Sequence, residues 1–237
     1  MSDTAWSTLR GQLIVSCQAF EGDPLRDVAM MAALARAAAL GGAAGIRANG
    51  PEDIAAIAAA VALPIIGLQK RVYDGVQCIT PTVADAGMLS GAGAHIVAVE
   101  ATEQRKEVSR RHPEIDAFPM MVRRIHEETG RPVLADVSTL SEGSRAVEAG
   151  ADLVATTLAG YTPASPALDG PDLALVRALA RELPVPIIAE GHVWTPEQAR
   201  ATLDAGAFAV VVGSAITRPQ LVTQRFVKAM HESAPKG

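Results

Sequence analysis

AGAHIVAVE at residues 92–100, AGADLVATT at 149–157 and AGAFAVVVG at 205–213 share one grammar: an Ala-Gly-Ala triplet runs straight into an apolar, β-branched stretch. The glycine of each triplet supplies the left-handed residue that ends a helix. The continuous apolar run behind it fits a parallel strand covered on both faces. Gly93, Gly150 and Gly206 lie 57 and 56 residues apart, which leaves room for two strand–helix units in each interval.

Outward from these repeats, short apolar runs separated by Ala/Leu-rich segments of helical period predict strands at residues 13–17, 45–47, 64–67, 95–99, 133–136, 153–156, 187–189 and 209–212. A ninth run at 77–79 follows Lys70 too closely for a crossover helix, since parallel strands need a dozen or more residues between them; it is expected as a loop extension. Helix starts are expected at Asp23-Pro24, Gly50-Pro51-Glu52-Asp53, Thr82-Val83-Ala84-Asp85 and Thr195-Pro196-Glu197. Eight alternating units, and no dinucleotide fingerprint after the first strand, predict an α/β fold: a (β/α)8 TIM barrel of the phosphate-binding type, one domain over 1–237. The Pro- and Ala-rich loop at 161–171 is long enough for a lid or rim loop.

Composition narrows the function. The 237 residues are 49% hydrophobic and 20% charged, enough for a sizeable core. A net charge of -5 offers no basic face for nucleic acid, and 3% aromatics provide no stacking platform for bases. Cys17 and Cys78 lack metal-ligand spacing, so neither a disulfide framework nor a zinc site is expected. The apolar stretch at 13–20 is far short of a membrane span, and Ile14-Val15-Ser16-Cys17 lacks the basic leader of a lipoprotein cleavage site. The expectation is a cytoplasmic protein acting on a small molecule, without membrane or nucleic-acid partner.

In a barrel the active site sits at the C-terminal ends of the strands. The polar residues just past the apolar runs are Gln18, Arg47, Lys70, Glu100, Asp136, Thr156 with Thr157, Glu190 and Ser214. Gly191 and Gly213 would let backbone N–H groups approach a phosphate, with Arg218 as an added cation. Lys70 follows an apolar strand, so partial desolvation would make it a base or a Schiff-base amine. Glu190 ends the apolar PVPIIAE and needs a partner or a raised pKa, while Asp136 could pair with a lysine or an arginine. One amine and one acid facing a carbon from opposite sides suit epimerisation; the same trio suits aldol chemistry. His192 alone among the histidines falls near the mouth, as a rim or phosphate-side residue, and no histidine–carboxylate set shows metal spacing.

VSCQA (15–19), GIRANG (45–50), PIIGLQKRVYDG (64–75), ITPT (79–82), ADVSTLSEG (135–143), TTLAGYT (156–162), AEGHVWTP (189–196) and VVGSAITRP (211–219) together resemble the blocks, in order, of the bacterial N-acetylmannosamine-6-phosphate 2-epimerase family. The resemblance implies interconversion of N-acetylmannosamine 6-phosphate and N-acetylglucosamine 6-phosphate in sialic acid catabolism, on a barrel with no required redox cofactor; no other cofactor is expected. It implies Lys70 and Glu190 as the proton-transfer pair, Asp136 as a supporting carboxylate, Gln18 and Arg47 on the sugar, and Gly191, Gly213, Ser214 and Arg218 around the phosphate. It gives His192 no role. Two other readings use the same residues: a lysine-dependent aldolase or thiazole-synthase-like barrel, and a non-catalytic sugar-phosphate sensor. Ala-rich helix faces, Trp194 and Phe226 are compatible with a homodimer.

Overall fold

The computed structural model describes residues 6–231. Eight parallel strands close into a barrel in the order β1 (Leu13–Cys17), β10 (Ala209–Val212), β9 (Ile187–Glu190), β8 (Leu153–Ala155), β7 (Val133–Asp136), β6 (Ile96–Glu100), β3 (Ile65–Leu68) and β2 (Gly45–Asn49). The helices α1 (Val28–Leu40), α2 (Pro51–Ala60), α3 (Val83–Gly91), α4 (Glu103–Ser109), α5 (Phe118–Thr129), α6 (Leu140–Glu148), α7 (Leu173–Glu182), α8 (Pro196–Asp204), α9 (Ser214–Thr217) and α10 (Pro219–His231) fall between or after them. This is the (β/α)8 TIM barrel that the repeats predict. Gly93, Gly150 and Gly206 take φ values of 111°, 97° and 106°, the left-handed turns from helix into strand that the Ala-Gly-Ala triplets require. No helix among the described residues is long and apolar enough to cross a membrane.

Two expectations need correction. Residues 77–79 lie outside the barrel, but as part of a strand: β4 (Lys70–Tyr73) and β5 (Val76–Ile79) form an antiparallel hairpin inserted after β3. Its two-residue loop, Asp74-Gly75, has φ of 50° and 79°, positive at both central positions as a type I′ turn demands. The first helix starts at Val28 rather than at Asp23-Pro24. Asp27, in extended conformation, accepts the Met30 N–H as its cap, while Asp23 accepts the Phe20 N–H and pairs with Arg218. Asp23 thereby orders the β1–α1 loop and starts no helix.

The barrel interior is built in layers. At the bottom, Leu9 from a 3-10 turn (Ser7–Leu9) plugs the axis and packs with Ile14, Ile66, Leu134, Leu153 and Ile188, all buried. Strand periodicity returns the same face every second residue. Two positions above Ile14, Leu134 and Ile188 stand Ser16, Asp136 and Glu190; two above Gly45 and Ala98 stand Arg47 and Glu100. An apolar floor with a polar layer on top, charged in four strands and a serine in the fifth, is therefore written into the sequence.

Close approach explains two glycines on these walls. A Cβ on Gly45 would come to 2.9 Å from Leu9 Cδ2, and one on Gly67 to 2.6 Å from Ala94 Cβ and 2.9 Å from Ile54 Cδ1. Ala94 cannot rotate away, so G67A forces backbone movement between β3 and its helices. It is expected to cost about 1–3 kcal/mol, read as a fall in Tm by thermal melting. Gly87, on the exposed side of α3 with nothing within 4 Å of an added Cβ, gives the opposite sign. G87A is expected to stabilise by up to about 1 kcal/mol through helix propensity.

Candidate active site

The strand ends converge on a cavity of about 510 Å³ at the C-terminal mouth of the barrel, lined in part by Gln18, Arg47, Lys70, Glu190, Gly191, Gly213, Ser214 and Arg218. Eight of the nine residues that the resemblance assigns to the site thus line one space. The ninth, Asp136, lies beneath it, fully buried.

At the centre Arg47, itself fully buried, reaches across the barrel. Its Nη1 and Nη2 donate to Asp136 Oδ1 and Oδ2 at 3.0 and 2.6 Å, and Nη1 lies 2.8 Å from Glu190 Oε2. Of the two partners open to Asp136, the structure takes the arginine, in a bidentate fork. The Thr157 hydroxyl closes the group, donating to Asp136 Oδ1 at 2.5 Å and lying 3.2 Å from Glu190 Oε2. One guanidinium between two carboxylates leaves the trio one negative charge in excess, and the Lys70 ammonium supplies the balancing positive charge.

Lys70 opens β4, where the chain leaves the barrel for the hairpin. Burial, and then the positive charge of Arg47, pull its amine down to about 8, against the opposing pull of Glu190 and Asp136. Burial likewise raises Glu190 above the ordinary carboxylate range, with Arg47 acting against the rise. An amine lowered and an acid raised bring the two groups toward a common pH, the condition for passing a proton between them and a carbon.

The lining contributed by the ends of β9, β10 and β1 suits an anion. Gly191 has φ of 104°, a conformation side chains rarely adopt, and Gly213 is held open by contact: a Cβ there would meet Ser16 Cβ at 3.2 Å. Arg218 Nη2 pairs with Asp23 Oδ1 at 2.9 Å, and its Nε is buried without a partner, as are Gln18 Oε1 and His192 Nε2. Buried unpaired polar atoms are costly. Three of them on one cavity wall mark groups that a polar ligand would satisfy.

Other cavity residues lay outside the strand-end pattern. Phe20, on the β1–α1 loop, presents its ring to two cations: Lys70 Nζ at 4.4 Å and Arg218 Cζ at 4.9 Å from the centroid. Tyr161, from the loop anticipated as a rim, stacks on His192 at 4.4 Å, and His192 holds the left-handed φ of 56°. A loop aromatic carries no periodic signal, so neither contact could be located from spacing. The Asp74-Gly75 dipeptide, in contrast, is a turn signal from which the hairpin that carries Lys70 could have been found.

A profile of the family described as "Putative N-acetylmannosamine-6-phosphate epimerase" matches residues 31–232. A protein of Caldanaerobacter subterraneus subsp. tengcongensis named "Putative N-acetylmannosamine-6-phosphate 2-epimerase" is 50% identical over 226 residues, 94% of this chain and 93% of that one. One of the same name from Clostridioides difficile is 44% identical, covering 94% and 97%. Among solved structures, that of the N-acetylmannosamine-6-phosphate 2-epimerase from Clostridium perfringens superposes with a TM-score of 0.89 at 40% identity, over 97% of both chains. With identity and coverage of this order, the chain belongs to the N-acetylmannosamine-6-phosphate epimerase family.

Proposed function

We propose that this protein interconverts N-acetylmannosamine 6-phosphate and N-acetylglucosamine 6-phosphate by moving the proton on carbon 2 of the sugar. The observation that carries the reading is the placement of Lys70 and Glu190, one amine and one acid with pKa values drawn toward each other, on the same cavity as an anion-ready wall. The family supplies the substrate.

In the open-chain sugar, carbon 2 lies beside the aldehyde. One member of the pair takes the carbon 2 proton as the C–H bond breaks, and the electron pair moves onto the aldehyde oxygen as an enolate. The other member gives a proton to the opposite face of carbon 2, and the carbonyl re-forms. The hydrogen leaves and returns as a proton, so no electron acceptor enters the balance. Arg47, one of the residues lining the cavity, stabilises the developing oxyanion through its charge. Gln18 orients the sugar, and Gly191, Gly213, Ser214 and Arg218 take the phosphate, with Arg218 Nε as one waiting donor. Asp136 serves by holding Arg47. A sugar phosphate dianion does not cross membranes, which favours action in the cytoplasm.

The direct test is proton NMR with N-acetylmannosamine 6-phosphate in deuterated water: the expected result is the gluco epimer carrying deuterium at carbon 2. Folded protein that binds the sugar phosphate without conversion or exchange would overturn the assignment. K70A and E190Q are each expected to lower kcat by about 10²–10⁴-fold, and full activity in K70A would remove Lys70 from the chemistry.

The pH profile separates a two-residue mechanism from one run by Lys70 alone. Across the pair, a two-residue transfer needs one shared proton in either direction. Lys70 loses that last proton near pH 8, so kcat/KM is expected to fall above about pH 8. With Lys70 as the only base, the neutral amine is the starting form, and activity would instead rise through the same pH.

A further inference from the structure

The chain leaves β3 at Leu68 and passes directly into the hairpin, with Lys70 the first residue of β4. Across the hairpin, Lys70 pairs with Ile79. The backbone amides of both residues on this rung are spent outside the hairpin. The Lys70 N–H donates to Asn49 Oδ1 at 2.8 Å, and the Ile79 N–H donates to Glu100 Oε2 at 3.1 Å. Asn49 ends β2 and Glu100 ends β6, and in the barrel β3 lies between those two strands. Each neighbour of β3 thus sends one side chain to the rung that carries the lysine.

The Glu100 carboxyl is an unusual choice for this task. The residue is only 1% exposed and forms no salt bridge among the described residues; the buried Arg105 guanidinium acts on it through its charge alone. Its other oxygen accepts the Thr102 hydroxyl. Burial pushes it up to about 7. A buried acid with no directly bonded cation is expensive to keep, and its backbone partner is the residue opposite Lys70.

The next rung is locked as well. The Thr80 N–H donates to Gln69 O at 2.6 Å, and the Thr80 hydroxyl donates to Ala98 O at 2.6 Å while accepting the Gln69 N–H at 3.1 Å. Thr80 makes these contacts at a φ of 48°, a costly conformation for a β-branched residue. The hairpin root is therefore held from both sides against a strained backbone, whereas β4 beyond it is exposed at Arg71 and Val72.

We infer that Asn49 and Glu100 are positioning residues for the proton transfer, a two-sided clamp on the Lys70–Ile79 rung that sets where the Lys70 amine stands relative to carbon 2. The inference rests on the reading of Lys70 as a proton-transfer residue. A rung that slides by a fraction of an ångström moves the amine away from its aligned approach, and reaction rates fall steeply with such displacement. Substrate affinity, set mainly at the phosphate wall, is left in place.

The test is steady-state epimerisation of N-acetylmannosamine 6-phosphate by N49A, E100A, E100Q and K70A, with circular dichroism to confirm folding. N49A and E100A are expected to lower kcat at least 30-fold with KM within threefold of wild type. A loosened rung admits water to an amine otherwise surrounded by Phe20, Arg47, Asp136, Glu190 and Arg218, so the alkaline limb of the profile is expected to move above pH 8. E100Q keeps an oxygen for the Ile79 N–H and turns its amide toward Thr102; it is expected to recover at least a third of wild-type kcat. Should E100A fail to fold, N49A and E100Q carry the same readings. Wild-type kcat in N49A, or E100Q as inactive as a folded E100A, would overturn the clamp, the latter result showing that Glu100 acts through its charge. An active K70A would fail the underlying reading instead, and a dead K70A beside a fully active N49A would fail the clamp alone.

Discussion

The guanidinium of Arg47 is the constraint around which the rest of the site is arranged. It crosses the barrel from β2 to meet Asp136 on β7 and Glu190 on β9, with no exposure to water. Desolvating three charges costs several kcal/mol per ion before their attraction and hydrogen bonds repay it, and well-packed apolar residues of the same size are often as stabilising or more so. The cluster therefore weakens or at best maintains the fold. Its use is to fix two carboxylates and one cation at set distances in a site of low dielectric, and to leave one carboxylate, Glu190, facing the cavity.

From that arrangement the properties of Lys70 follow. Placed near Arg47 alone, the amine would be driven far down; placed near Asp136 and Glu190 alone, it would stay a fully charged ammonium. The structure supplies both influences together with burial, and the outcome is an amine at about 8. Phe20 contributes the cover. Its ring accepts both Lys70 and Arg218 on its π-system, and Asp23 holds the same loop by accepting the Phe20 N–H and pairing with Arg218. Lys70 and Arg218 thus share one aromatic cover.

Much of this was legible in the order of residue types. Polar side chains immediately past apolar strands located Arg47, Asp136 and Glu190, because a barrel strand returns its inward face every second residue and surfaces at a fixed end. The same rule found Lys70, but took it for the end of a barrel strand. It begins a hairpin, and the Asp-Gly turn at 74–75 was the unused signal. The choice of Arg47 over Lys70 as the partner of Asp136 was not in the sequence, since strands seven and two meet only across the closed interior. Nor was the start of α1. Asp23 and Asp27 are both competent caps, and the selection of Asp27 depends on Arg218, 195 residues away, claiming Asp23.

The layering explains why a small-residue barrel suits this cluster. Beneath the charged layer, Leu9, Ile14, Ile66, Leu134 and Ile188 close the axis with buried apolar side chains. The floor is stiff because its contacts are short. Gly45 admits Leu9 to within what a methyl would occupy, and Arg47 of the polar layer stands two residues above it on the same strand. A charged group above a close-packed floor cannot relax downward, and water cannot reach it from below. Each ion is then held by its partners rather than by solvent. A proton moved at the mouth therefore changes the energies of Lys70 and Glu190 together, because each feels the charge of the other and of Arg47.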